Sequence, residues 1–150
     1  MKLPGLSFTE VLSGHYWRLD APVDERAMQL ELRGTIPDAA VFLRDKTLLL
    51  TGTIDAEQLA SAQKIEGTVH FKLLGERRIP YRCTFRGDDG RRYELFGDKE
   101  WNGLAPLASV TLLAASLYDD AGDEVARATL RFDLRADWSR WLASARLVVG

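Results

Sequence analysis

Apolar and polar side chains alternate along most of this chain with a period of two. That spacing suits β-strands with one buried face and does not suit amphipathic helices. The pattern is cleanest from Ile65 to Leu73, where Ile65, Gly67, Val69, Phe71 and Leu73 face one way and Glu66, Thr68, His70 and Lys72 the other. Ile79, Tyr81, Cys83 and Phe85 repeat it against Arg82, Thr84 and Arg86, and Gly87-Asp88-Asp89-Gly90 reads as a hairpin turn. The return strand carries Tyr93, Leu95 and Gly97 on its inner face. A second hairpin runs from Leu107 to Tyr118, apolar on both faces as if both were covered. It turns at Asp119-Asp120-Ala121-Gly122-Asp123 and returns with Ala126, Ala128, Leu130, Phe132 and Leu134 facing inward. Upstream, Phe8, Leu12, Gly14 and Tyr16 share a face, as do Met28, Leu30, Leu32, Gly34 and Ile36, and then Leu48, Leu50, Gly52 and Ile54.

Helical signals are sparse. Asp38 can cap a short turn through Leu43, and Asp55 with Gln58 has the spacing of a capping box. Asp137 heads the one convincing helix, in which Trp138, Trp141, Leu142 and Ala145 recur on one stripe. Gly14, Gly34, Gly52, Gly67 and Gly97 each fall on the inner face of a different strand. Glycine weakens a strand, so its recurrence points to tight bending or to close approach of another backbone or a ligand. The expected fold is mainly β: one domain over residues 1–150, an antiparallel up-and-down barrel of about eight strands with a C-terminal α-helix. A flattened sandwich would show the same alternation.

The formal net charge of -2 offers no electrostatic footing for nucleic acid. The basic pairs Arg77-Arg78 and Arg91-Arg92 each open a strand and read as solvated edges. One cysteine, Cys83, excludes an internal disulfide and a thiolate zinc site, and its place in an apolar strand suits a buried, inert thiol. No apolar run approaches the ~20 residues of a membrane-spanning helix. The stretch Met1-Lys2-Leu3-Pro4-Gly5 lacks a signal-peptide core, so a cytoplasmic location is expected. With two histidines far apart and no nucleophile elbow, P-loop or dinucleotide fingerprint, no catalytic residue, metal site or cofactor is assigned.

The candidate ligand-binding residues are polar groups that the alternation turns inward: Glu10, Tyr16, Tyr81, Tyr93 and Lys99, with Trp101 just beyond the last of these strands. A buried charge is costly unless paired, so Glu10 and Lys99 are expected to meet inside the barrel or at its mouth. A strand end or bulge that turned one of them outward would prevent that. Tyrosines with polar tips line ligand cavities, and they are also ordinary core residues. The Trp138 and Trp141 face can pack on the chain's own barrel or dock a protein partner.

The segments Phe8-Thr9-Glu10 with Gly14, Leu50-Thr51-Gly52-Thr53, Gly67-Thr68-Val69, Tyr81-Arg82, Asp89-Gly90-Arg91 and Tyr93-to-Glu100 occur in this order. Together with the closing Trp138-to-Leu147 stretch, they resemble a lipocalin-like, β-rich accessory domain of proteins related to cholesterol oxidase, the GMC oxidoreductase type. The chain is poorer in threonine than that pattern around Ala108-to-Leu112. The resemblance implies a lipocalin- or calycin-like barrel and weight on Glu10, Gly97 and Lys99. It also implies a lipid- or sterol-like ligand, or an accessory role beside a separately encoded oxidoreductase. The flavin-binding portion has no counterpart here, so neither flavin nor oxidase activity carries over. A third reading makes Glu10 an acid or base with its pKa raised by burial.

Overall fold

The structure, a computed structural model, describes residues 5–36, 40, 47–70, 78–100, 110–133 and 146–148. Nine antiparallel strands account for nearly all of them: β1 (Gly5–Arg18), β2 (Ala21–Ile36), β3 (Thr47–Ala56), β4 (Ala60–His70), β5 (Arg78–Arg86), β6 (Arg92–Glu100), β7 (Val110–Tyr118), β8 (Glu124–Asp133) and β9 (Arg146–Val148). Consecutive strands from β1 to β8 are hydrogen-bonded neighbours. β8 returns to pair with β1, which also pairs with β2, so eight strands close into a barrel. Closure excludes the flattened sandwich. The short β9 extends the wall by pairing Gly5–Ser7 of β1 with Val148–Arg146.

The alternation places the core inside this wall. Leu12, Leu30, Leu32, Leu50, Ile54, Ile65, Leu95, Leu113, Leu117 and Leu130 are each at most 1 % exposed and belong to one cluster. Each such side chain contributes about 1.5–3 kcal/mol by leaving water. Their partners on the outer face, among them Glu31, Arg33, Lys64, Glu66, Arg82 and Arg131, are exposed. β7 departs from expectation. Its outward Leu112 is 51 % exposed, so nothing in the described structure covers that face there.

The inward glycines have a steric cause. A Cβ on Gly14, Gly52 or Gly67 would collide with the backbone carbonyl of Thr129, Glu31 or Arg82 on the adjacent strand. A small, tightly coiled barrel brings neighbouring backbones that close. Gly97 differs, because there a Cβ would meet the Leu113 side chain at 2.8 Å.

Strand direction separates two ends. Links β1–β2, β3–β4, β5–β6 and β7–β8 are tight hairpins at one end, while 37–46, 71–77, 101–109 and 134–145 connect strands at the other. Side chains lace the hairpin end together. The Asp88 carboxylate accepts from the Ser61 N–H (2.9 Å), the Ser61 hydroxyl (3.0 Å) and the Gln63 amide (2.9 Å), tying the β3–β4 hairpin to β5–β6. These donors hold the Asp88 carboxyl below its ordinary value of 3.8, so the brace is present above that pH and lost in stronger acid. Arg91 reaches Asp120 at 2.9 Å and Asp119 at 3.4 Å, tying β5–β6 to β7–β8.

Two helical expectations are corrected. Asp55 and Gln58 do not begin a helix: Asp55 lies on β3, and its carboxylate accepts the Ala62 N–H at 2.8 Å across a bulge in β4. Leu147, expected in the C-terminal helix, lies on strand β9, opposite Leu6. The Trp138-to-Ala145 part of that expectation and the Asp38 turn through Leu43 fall outside the described residues, except that Ala40 is helical.

At the bulge Ala62 has φ 47°, a left-handed conformation that costs a residue with a Cβ about 1–2 kcal/mol. Ala62→Gly relieves that strain and gives back part of it as unfolded-chain entropy. The expected outcome is a gain of about 0.5–1 kcal/mol in urea unfolding. A loss would mean that the bulge is not strained.

Candidate functional site

β1 and β5 lie four places apart around an eight-strand circuit, and so face each other across the lumen. Glu10 on β1 and Tyr81 on β5 meet there, the tyrosine hydroxyl donating to Oε1 at 2.8 Å. Glu10 is 6 % exposed and Tyr81 5 %. Glu10 is also the one buried charged residue among those described. The bridge spans the barrel in its half toward the long connections, with Leu12 next inward along β1 and Cys83 next along β5.

Electrostatics keep this spot protonated on the β5 side. Burial, and after it the Glu10 charge, push the Tyr81 hydroxyl well above its ordinary value, so it serves as a donor. The same two causes, burial first, push the Cys83 thiol up to about 12. The thiol is therefore unreactive, as expected from the sequence, since the thiolate is the nucleophilic form.

Of the six candidate residues, the structure brings together Glu10 and Tyr81. Tyr16 and Tyr93 are buried at the opposite, hairpin end. Tyr16 donates to the Glu57 carbonyl in the β3–β4 turn, and Tyr93 donates to Asp89 at 2.8 Å and stacks on Phe85 with ring centroids 5.6 Å apart. Both act there as core residues that secure turns. The backbone of Lys99 pairs with Ile79 and Leu113, two residues beyond Gly97, which pairs with Tyr81. The Lys99 side chain, Trp101, Trp138 and Trp141 lie outside what the structure describes. Among the described residues no group of three His, Cys, Asp or Glu is placed to hold a metal ion.

The sequence marked Glu10 and Tyr81 separately as inward and polar; the expected pairing of Glu10 with Lys99 falls on a side chain outside the described residues. What joins Glu10 to Tyr81 is barrel closure, which no local pattern encodes. Removing the hydroxyl with Tyr81→Phe takes a buried donor from a carboxylate, and is expected to lower stability by about 1–3 kcal/mol in denaturant unfolding. A change under about 0.5 kcal/mol would mean the bridge contributes nothing.

No family model matches the chain, and neither do curated proteins or solved structures.

Proposed function

We propose that the protein is a non-catalytic β-barrel that binds a small apolar, lipid- or sterol-like molecule. The ligand enters at the end with the long connections, and its polar group meets Glu10 and Tyr81. The observation that carries this reading is the buried carboxylate–phenol pair, in which Glu10 is the one buried charged residue among those described. A carboxylate is expensive to bury, and a hydroxyl-bearing ligand would donate to the Glu10 carboxylate or to the Tyr81 hydroxyl oxygen, whose one proton is already given to Glu10. An apolar body would suit the leucine-rich wall around them. The outer wall supports an inward-working barrel, since exposed charges at Glu31, Arg33, Glu66 and Arg82 are the reverse of a lipid-facing band.

The test is thermal shift with fatty acids, long-chain alcohols, sterols and aromatic compounds. A ligand at 100 times its Kd stabilises by about 2.7 kcal/mol, several degrees for a domain of this size. Alcohols and sterols are expected to stabilise, and Tyr81→Phe to weaken them about tenfold. No stabilisation across the panel would refute the reading.

A second reading is an accessory module for a separately encoded oxidoreductase. One observation favours it. The segments that carry the resemblance to GMC-type accessory domains include Leu50–Thr53 on β3, Gly67–Val69 on β4, Tyr81–Arg82 on β5 and Tyr93–Glu100 on β6, which form one continuous wall. A flavoenzyme that binds the purified chain saturably, and loses it when this wall is altered, would support this second reading.

A further inference from the structure

Across the outer face of β4, β5 and β6, three cations stand in one row. Arg86 and Arg92 are direct cross-strand partners. The β4–β5 ladder ends at Ile65 opposite Phe85, so Lys64 occupies the next position beside Arg86. All three are exposed and line one groove of about 1100 Å³, together with Thr51, Thr53, Gln63, Thr84 and the carboxylate-bearing Glu66. Like charges directly opposite on neighbouring strands repel and destabilise a sheet.

The row is the more telling for what surrounds it. Arg18, Arg26, Arg91 and Arg127 each have an aspartate or glutamate within 3.5 Å. Among the described residues Lys64, Arg86 and Arg92 have none, and neither do Arg33, Arg82 and Arg131, so what distinguishes the row is three such cations side by side. The acids in the adjoining turns are engaged elsewhere, Asp88 on Ser61 and Gln63, Asp89 on the Arg91 N–H and Tyr93, Asp119 and Asp120 on Arg91. Glu66 and Glu94 flank the row on the same face, two residues along from Lys64 and Arg92. The Arg86 guanidinium is oriented by its own bond to the Gly90 carbonyl at 3.0 Å. The bulge at Ala62 bends β4 just before Lys64. The turn sets the arginine pair: the Gly87 N–H donates to the Arg91 carbonyl at 2.9 Å, which places Arg86 opposite Arg92.

We propose that this row is a binding site for a short oligophosphate, a di- or triphosphate group. Three strands about 4.8 Å apart spread the charges over roughly 10 Å, a span suited to a few linked phosphates. Arginine forks and a lysine make charge-assisted bonds to phosphate oxygens, and the threonine hydroxyls add neutral donors. Glu66 at the groove and the overall charge of -2 oppose a long polyanion, which limits the ligand to a short one. The site is independent of the barrel interior.

Inorganic tripolyphosphate is the probe, titrated by calorimetry in about 50 mM salt, where surface charges are only partly screened. Saturable binding with a Kd below about 1 mM is expected, weakened tenfold or more by Arg86→Gln with Arg92→Gln and unchanged by Arg131→Gln. Arg92→Glu should raise the Tm of the unliganded protein at low salt while removing the rise caused by tripolyphosphate. Absence of saturable binding, or binding intact in the double variant, overturns the proposal. So does a single-stranded oligonucleotide that binds these residues more tightly than tripolyphosphate.

Discussion

Gly52→Ala is expected to destabilise the protein by about 3 kcal/mol, a large share of the 5–15 kcal/mol available to an ordinary domain. The added Cβ would sit against the Glu31 carbonyl group, whose carbon would be 2.9 Å away. Neither atom belongs to a side chain that can rotate aside. Relief requires β2 and β3 to separate where Leu32 pairs with Gly52, and the inward leucines beside them, Leu30, Leu32 and Leu50, would lose contact. Gly97→Ala is the milder comparison, because its nearest obstacle is the end of the Leu113 side chain at 2.8 Å, with the Ala114 carbonyl oxygen farther off at 3.1 Å. A rotamer change there should hold the cost to about 1 kcal/mol. Urea unfolding of both variants separates the two mechanisms. Equal, small losses would mean that the strands are not held at the distance described.

Alkaline conditions should weaken the fold steeply. The Cys83 thiol ionises near 9.0 in an open chain and near 12 in the barrel, and the Tyr81 phenol is raised from 10.0. Both groups are neutral when protonated, so burial favours the protonated form. The sign follows: stability is full below pH 9, then falls as the unfolded chain releases protons that the folded one retains. Each group contributes about 1.4 kcal/mol per pH unit over its own window. By pH 11 the thiol alone should cost about 2.7 kcal/mol relative to pH 8, and the phenol adds to that loss above pH 10. Urea midpoints between pH 8 and 11 measure it, and Cys83→Ala should flatten the slope between pH 9 and 10, where Tyr81 does not yet contribute. A midpoint constant to pH 11 would contradict the burial of both groups.

Much of the wall was legible from single residues. Leu48, Leu50 and Ile54 against Leu49, Thr51 and Thr53 predicted the faces of β3, and they hold. Gly52 pointed to tight bending or to close approach of a backbone or ligand, and the structure shows the Glu31 carbonyl in close approach. Asp55 shows how a correct local signal can mislead. Its carboxylate does satisfy an orphan N–H, as a helix cap would, but the donor is Ala62 in a strand bulge. Leu147, at the expected end of the helix, is a strand residue instead, because the β1 segment Gly5–Ser7 pairs with it; the stripe from Trp138 to Ala145 lies outside the described residues.

By itself the order of residues determined which side chains face inward, that the inner wall is apolar, and that Glu10 and Tyr81 both point into it. These follow from a two-residue period, which is local. Only the tertiary structure decided that β8 closes on β1, that Glu10 meets Tyr81 across the lumen, and that Tyr16 and Tyr93 serve the opposite end. Closure joins residues far apart in the chain, and the strands' alternation is the same whichever edges finally pair.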